Sequence, residues 1–186
     1  MGLEKEPVMN VKKIRRMPLF IGAVLLVIFA NPNPAGIFIG VFLIAFGEGI
    51  RIWAAGHLQK NAILTVTGPY AYVKNPLYVG SILISAGFCI LGDNIYLLTA
   101  LMFAFCFHYI PYKKRIEGDR LRERFGGRFD DYDRNVPEYI PTWTRYSEER
   151  ASWRWRCFIE NSEEGILLLN ILGVVLILSR PYWGII

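Results

Sequence analysis

The sequence predicts an all-α fold: a polytopic helical membrane protein of about five transmembrane helices, with a cytoplasmic amphipathic helix and loops capping a pocket. Three observations predict it. Hydrophobic residues make up 53% of the 186-residue chain and its mean hydropathy is +0.30, above the apolar share of ordinary soluble domains. These residues gather in five runs, Leu19–Ala30, Ala35–Ile50, Leu77–Leu91, Ile95–Ile110 and Gly165–Ser179. Each run is shorter than the ~20 residues that cross a typical hydrocarbon core, but the polar remainder cannot enclose five such helices in water. Snorkelling Lys and Arg, tilt and local thinning supply the missing length. Third, with the N-terminus inside, all 21 lysines and arginines except Arg180 fall on one side, as retention of basic loops in the cytoplasm requires. The net charge of +5 then reads as topology and contact with anionic lipid, not nucleic-acid binding.

Residues 1–16 form a basic lead, loose or interfacial, ahead of the first run. Met17–Ala30 behind that lead also has the make-up of a signal peptide; retained, it is the first span. Asn31-Pro32-Asn33-Pro34 turns the chain into the second span, whose inner mouth carries Glu48 and Arg51. At spacing three on a helix these two share a face, which predicts an ion pair or a ligand-binding pair. Between Gly56 and Asn75 the chain leaves the membrane, with His57 in a loop, and Pro76 starts the third span. Gly92-Asp93-Asn94 closes a second hairpin. His108 lies deep in the fourth span, where a polar group is costly and often functional, or it satisfies a carbonyl freed by Pro111.

After Pro111, Ile116, Leu121, Phe125, Phe129 and Tyr132 recur at near-helical intervals among charges, and Gly126-Gly127 must interrupt or bend that helix. Val136–Trp143, with Pro137 and Pro141, should be an extended apolar flap. Trp153-Arg154-Trp155-Arg156 looks like an interface anchor. Glu163 and Glu164 suit the N-terminus of the last span, and Asn170 within it can bond to another helix. Cys89, Cys106 and Cys157 have no metal-ligand spacing, so neither a disulfide framework nor a metal site is expected. The whole chain, residues 1–186, reads as a single membrane-embedded domain.

Chemistry concentrates in Gly68-Pro69-Tyr70-Ala71-Tyr72-Val73-Lys74-Asn75-Pro76-Leu77-Tyr78-Val79-Gly80. It puts a cation, an amide, phenols and glycines at the inner end of a span, where helix N-terminal amides attract anions. The second informative block is Glu117-Gly118-Asp119-Arg120-Leu121, with Phe125-Gly126, Phe129, Tyr132, Val136 and Pro141 following.

These two blocks, in order around a hairpin, together with Arg51-Ile52-Trp53-Ala54-Ala55-Gly56-His57-Leu58, resemble the isoprenylcysteine carboxyl methyltransferase family and the related membrane-embedded phospholipid methyltransferases. The resemblance covers residues 40–143; the first span and residues 144–186, an interfacial segment and the last helix, lie outside it. It implies methyl transfer from S-adenosylmethionine to a lipophilic acceptor, with no metal. Lys74 and Asn75 would be the catalytic positions. Tyr70, Asn75, Tyr78, Gly80 and Glu117 would contact the cofactor, while Arg51 and His108 face the substrate.

Three positions depart from the family pattern: Lys74 stands for Arg, Asn75 for His and Gly118 for a second Glu. Lys74 keeps the charge without the bidentate fork, and Asn75 cannot carry a proton at neutral pH. The acceptor is therefore expected to be a carboxylate or another nucleophile that is already anionic. The expected partners are a lipophilic small molecule, lipid or lipidated substrate and the surrounding membrane lipids, with no nucleic acid. Two rivals remain at this stage: an NADPH-dependent membrane reductase of the sterol type, and a non-catalytic protein binding lipid or a partner through residues 113–134 and Trp153–Arg156.

Overall fold

The computed structural model describes residues 17–59, 62–104 and 110–183, and among them it is helical with no strand. The elements are α1 (Met17–Ile28), α2 (Pro34–His57), a 3-10 turn (Gly68–Ala71), α3 (Pro76–Leu91), α4 (Ile95–Ala104), α5 (Ile110–Phe125), α6 (Gly127–Asn135), α7 (Trp155–Glu160), α8 (Glu163–Ser179) and a last 3-10 turn (Arg180–Trp183). The expected helix starts and the expected break hold. Asn33 caps α2, its side chain accepting from the Gly36 amide at 2.8 Å with Pro34 in the first turn. Asn94 takes the Leu97 amide in the same way at 2.9 Å ahead of α4. Gly126, at φ +55, breaks α5 from α6, a backbone region that glycine enters without steric cost.

Among the described residues, two helices are long and apolar enough to cross a membrane, Pro34–His57 and the helix from Glu163 through the turn to Tyr182; Pro76–Leu91 is apolar but shorter. The expectation of about five spans therefore holds for the all-helical class and, by length and composition, for these two helices. The second run also continues past Ile50, so α2 ends seven residues later at His57.

The helices α2 and α3 are antiparallel and nearly touch at backbone level. A Cβ on Gly40 would lie 2.7 Å from the Gly87 carbonyl oxygen, and one on Gly47 would lie 2.7 Å from that of Gly80. Only glycine permits this approach, which maximises dispersion contact where lipid offers no hydrophobic drive between helices. Helix α8 leans on the pair, with Phe88 against Gly173. Leu26, Ala30, Ile44, Leu91 and Ile177 join α1, α2, α3 and α8 in one buried cluster. Away from it, Phe38, Phe42, Phe46, Leu168, Leu169 and Val175 stay more than half exposed, apolar faces far larger than water tolerates on a monomer.

The ends of these helices sort by chemistry. At one end Asn31 donates to the Gly92 carbonyl at 3.1 Å, and the Arg180 Nη2 donates to the Ile28 carbonyl at 2.9 Å. The opposite end gathers the close of α2, the start of α3, the start of α8, and α6 with its flanking loops. There Leu64, Val66, Phe129, Tyr132 and Val136 form a second buried cluster.

Candidate functional site at the polar end of the bundle

The segment Gly68–Asn75 is clamped from behind by residues 132–146. Lys74 and Asn75 donate their amides to the carbonyls of Pro137 (2.8 Å) and Glu138 (3.2 Å), and Thr142 and Tyr146 donate theirs to Tyr72 (2.9 Å) and Ala71 (3.0 Å). The Tyr132 hydroxyl donates to the Tyr70 carbonyl at 2.8 Å. The expected flap runs alongside the predicted block but is bent at residues 138–140 and 143–144 instead of extended, with Val136 inside and Trp143 fully exposed. At the front, Gly68 sits at φ +60 with the His57 ring against it, where a Cβ would lie 2.5 Å from the ring. His57 is therefore buried as the last residue of α2 and is not a loop histidine.

Each expected site residue has a definite setting. Tyr70 is buried in its turn; burial, then Tyr132, Glu163 and Tyr78, push its phenol far above the ordinary tyrosine range, with Arg51 opposing. Burial likewise leads in raising Tyr132, followed by Tyr146 and Asp133. Lys74 places its ammonium 2.5 Å from an Asp133 carboxylate oxygen and 3.0 Å from the Asp133 carbonyl, with Glu138 at 3.9 Å. Asn75 precedes α3 but its side chain makes no capping bond. Tyr78 is half-buried one turn on. Gly80 faces Gly47 and the Arg51 side chain, which a Cβ would meet at 2.6 Å, so its missing side chain makes room for α2. Glu117 belongs to α5, but its side chain, like all of His108, lies outside the described residues.

Arg51 shows the largest departure from expectation. Its partner is not Glu48 but Glu163, whose carboxylate lies 2.6 Å from Nη2, both side chains being less than a tenth exposed. The Nη1 donates to Ser81 Oγ at 2.6 Å and to the Leu77 carbonyl at 3.2 Å. Glu48 instead accepts from Asn170 at 2.5 Å, the interhelical bond expected of that asparagine. The physical reason is reach: α8 brings its first turn to Arg51 and its third to Glu48. Arg51 is thereby joined to α3 and α8 directly below Tyr70, close enough for Glu163 to act on that phenol.

Sequence reasoning missed Glu163, Asp133 and Glu138. A usable signal existed for the first: a lone arginine inside an apolar helix needs a carboxylate, and Glu163 and Glu164 lie at the mouth of another apolar run.

A family model for phospholipid methyltransferases matches residues 35–128, half of the chain. The chain belongs to the phospholipid methyltransferase family. Within that family match lie Arg51, Tyr70, Lys74, Asn75, Tyr78 and Ser81; their partners Tyr132, Asp133, Glu138 and Glu163 lie beyond it. Among curated proteins, the nickel-cobalt-cadmium resistance protein NccN of Alcaligenes xylosoxydans xylosoxydans is 34% identical over 101 residues, 53% of this chain and 46% of that protein. The cobalt-zinc-cadmium resistance protein CzcN of Cupriavidus metallidurans is 31% identical over 141 residues, 74% of this chain and 62% of that protein. The chain thus spans between about half and three-fifths of the length of these relatives. No solved structure matches it.

Proposed function

We propose that the chain is an integral membrane methyltransferase that moves the methyl group of S-adenosylmethionine to a lipophilic acceptor bearing a carboxylate or another anionic nucleophile. The observation that carries this reading is the Lys74–Asp133 clamp. It joins residues 59 positions apart and folds the Gly68–Gly80 block against the helix that follows the second block.

The residues present suit the cofactor in type. Among the described residues, Arg51 Nε and Glu164 Oε2 are buried without a hydrogen-bond partner, a donor suited to the anionic group of the acceptor and an acceptor suited to the ammonium at the methionine end of the cofactor. When bound, the cofactor supplies an electrophilic methyl group on a sulfonium, whose transfer depends on alignment and dryness and needs no metal. Tyr70 and Tyr78 would wall its ring system, Gly80 would let it approach the α3 backbone, and Glu117 would accept from its ribose hydroxyls. Asn75, free of capping duty, would hold the reacting groups in line, with Lys74 keeping that segment in register. Since Asn75 takes no proton, the nucleophile must arrive deprotonated, which favours a carboxylate over an ammonium. Arg51 and His108 would face the acceptor, which enters sideways from the bilayer. In this reading the five apolar runs all span, and the polar end and N-terminus face the cytoplasm.

Calorimetry on the detergent-purified chain tests the proposal. S-adenosylhomocysteine is expected to bind and NADPH is not, and Asn75→Ala should weaken the former by about tenfold, the loss of one charge-assisted bond. Binding of NADPH alone would select the reductase; binding of neither would select a non-catalytic lipid-binding or partner-binding role. The names of the two relatives suggest a physiological test as well: if the methylated product serves tolerance of divalent metals, cells lacking the protein should grow less well in cobalt or nickel than cells carrying it.

A further inference from the structure

Helix α7 and the end of α2 border an open cleft of about 460 Å³ that the methyl-transfer reading leaves unused; Leu58, Gln59, Arg154, Arg156, Glu160 and Asn161 contribute to its walls. Its size lies in the range of small-molecule sites. The wall is built, not incidental. The Trp153 indole donates to the Ile52 carbonyl at 2.9 Å, the Arg154 amide donates to the Gly56 carbonyl at 2.9 Å, and buried Asn161 donates to the carbonyls of Ala55 (3.1 Å) and Leu58 (3.0 Å). These bonds fix the backbone on both sides of the two arginines.

The donors that remain point to the occupant. Asn161 spends its amide on carbonyls, and Arg156 gives Nε to Glu160 at 2.7 Å, which leaves its terminal nitrogens. The Arg154 guanidinium has no acceptor among the described residues. Two guanidinium groups against one carboxylate leave the cleft cationic, and planar guanidinium forks match phosphate oxygens. Beside them the rings of Trp153, Trp155 and Phe158 cluster with centroids 5.2–6.2 Å apart. Trp155 is 65% exposed, and Ile159 and Trp53 are open as well. The cleft also lies between His57 and Glu163, the ends of the two span-length helices. That is the depth at which headgroups, indoles and arginines meet.

We propose that this cleft is a headgroup site for an anionic glycerophospholipid, its phosphate held by Arg154 and Arg156 and its upper acyl chains against Trp155 and Ile159. The site fixes α7, and through Asn161 the start of α8, to the membrane surface; it does not depend on methyl transfer.

The full chain in neutral detergent, titrated with phosphatidylglycerol, phosphatidylcholine or inorganic phosphate and followed by tryptophan fluorescence, tests this. Phosphatidylglycerol should bind at least about fivefold tighter than phosphatidylcholine, more weakly as salt rises, with inorganic phosphate not competing at equal concentration. Arg154→Gln with Arg156→Gln should weaken phosphatidylglycerol by about tenfold or more, two such contacts being lost. Glu160→Gln, which frees Arg156, should tighten it. Equal binding of the two lipids would overturn the proposal, as would an unchanged double variant or phosphate competing as well as the lipid. Should the double variant not fold, a Glu160→Gln variant with unchanged or weaker lipid binding would overturn it alone.

Discussion

Arg51 carries its charge inside an apolar bundle because Glu163, Ser81 and the Leu77 carbonyl meet it there. A buried pair offsets its own desolvation only while both members are present. Glu163→Leu should therefore cost ~3 kcal/mol or more in detergent unfolding, and adding Arg51→Met should restore most of that loss; a single variant as stable as the parent would show that the pair carries nothing. Lys74 is less deeply set and its partner Asp133 is a third exposed, so Lys74→Met should cost less, ~1–2 kcal/mol by the same measurement, with Lys74→Arg close to neutral. The tyrosines set a pH limit. Burial raises the phenols of Tyr70 and Tyr132 in the folded state, so their contribution is complete below the unfolded value of about 10 and is lost as pH climbs above it. Tyrosinate absorbance should show these two silent until alkaline unfolding, whereas ionisation of every tyrosine at its ordinary pH in the folded protein would contradict their burial.

At the scale of elements, the glycine seam is the most exacting contact. Gly47→Leu must push α2 off the Gly80 carbonyl and should cost ~3 kcal/mol or prevent assembly, while Gly49→Ala, with open space around it, should raise helix stability slightly. Gel filtration and thermal unfolding in detergent separate the two; equal behaviour would mean that the helices are not in backbone contact. Element starts and breaks were legible because they rest on local rules: Asn33 and Pro34 open α2, Pro76 opens α3, and Gly126 parts α5 from α6. The end of α2 was not legible. Arg51 reads locally as the edge of a span, yet a carboxylate 112 positions away neutralises it and the helix continues to His57. The block Gly68–Gly80 announced itself as chemistry, but its clamp, Asp133 and Glu138, looked like ordinary surface charge, because pairing across 59 positions leaves no periodic trace.

At the scale of the whole molecule, most of the charged side chains among the described residues sit at one end of the bundle, while Gly92–Asn94 and Arg180 sit at the other. Residues 144–183, outside the family match, are tied into the charged end by the Trp153 indole, Asn161 and Glu163. If the long axis of α2, about 36 Å at 1.5 Å per residue, crosses the bilayer, these two ends face different compartments and the basic one stays in the cytoplasm. Single cysteines at the exposed positions Asp93 and Glu148, in a chain whose Cys89, Cys106 and Cys157 are replaced by alanine, read this directly. A membrane-impermeant maleimide should label Asp93→Cys on intact cells and Glu148→Cys only after disruption. Cys89 and Cys157 are buried, so each alanine leaves a void the size of one sulfur atom, a cost of ~1 kcal/mol. Labelling of both positions from the same side would mean that α2 and α3 lie along the membrane instead of through it. The clamp at Lys74 would then have to be read as part of a surface-bound protein, with its acceptor arriving from water.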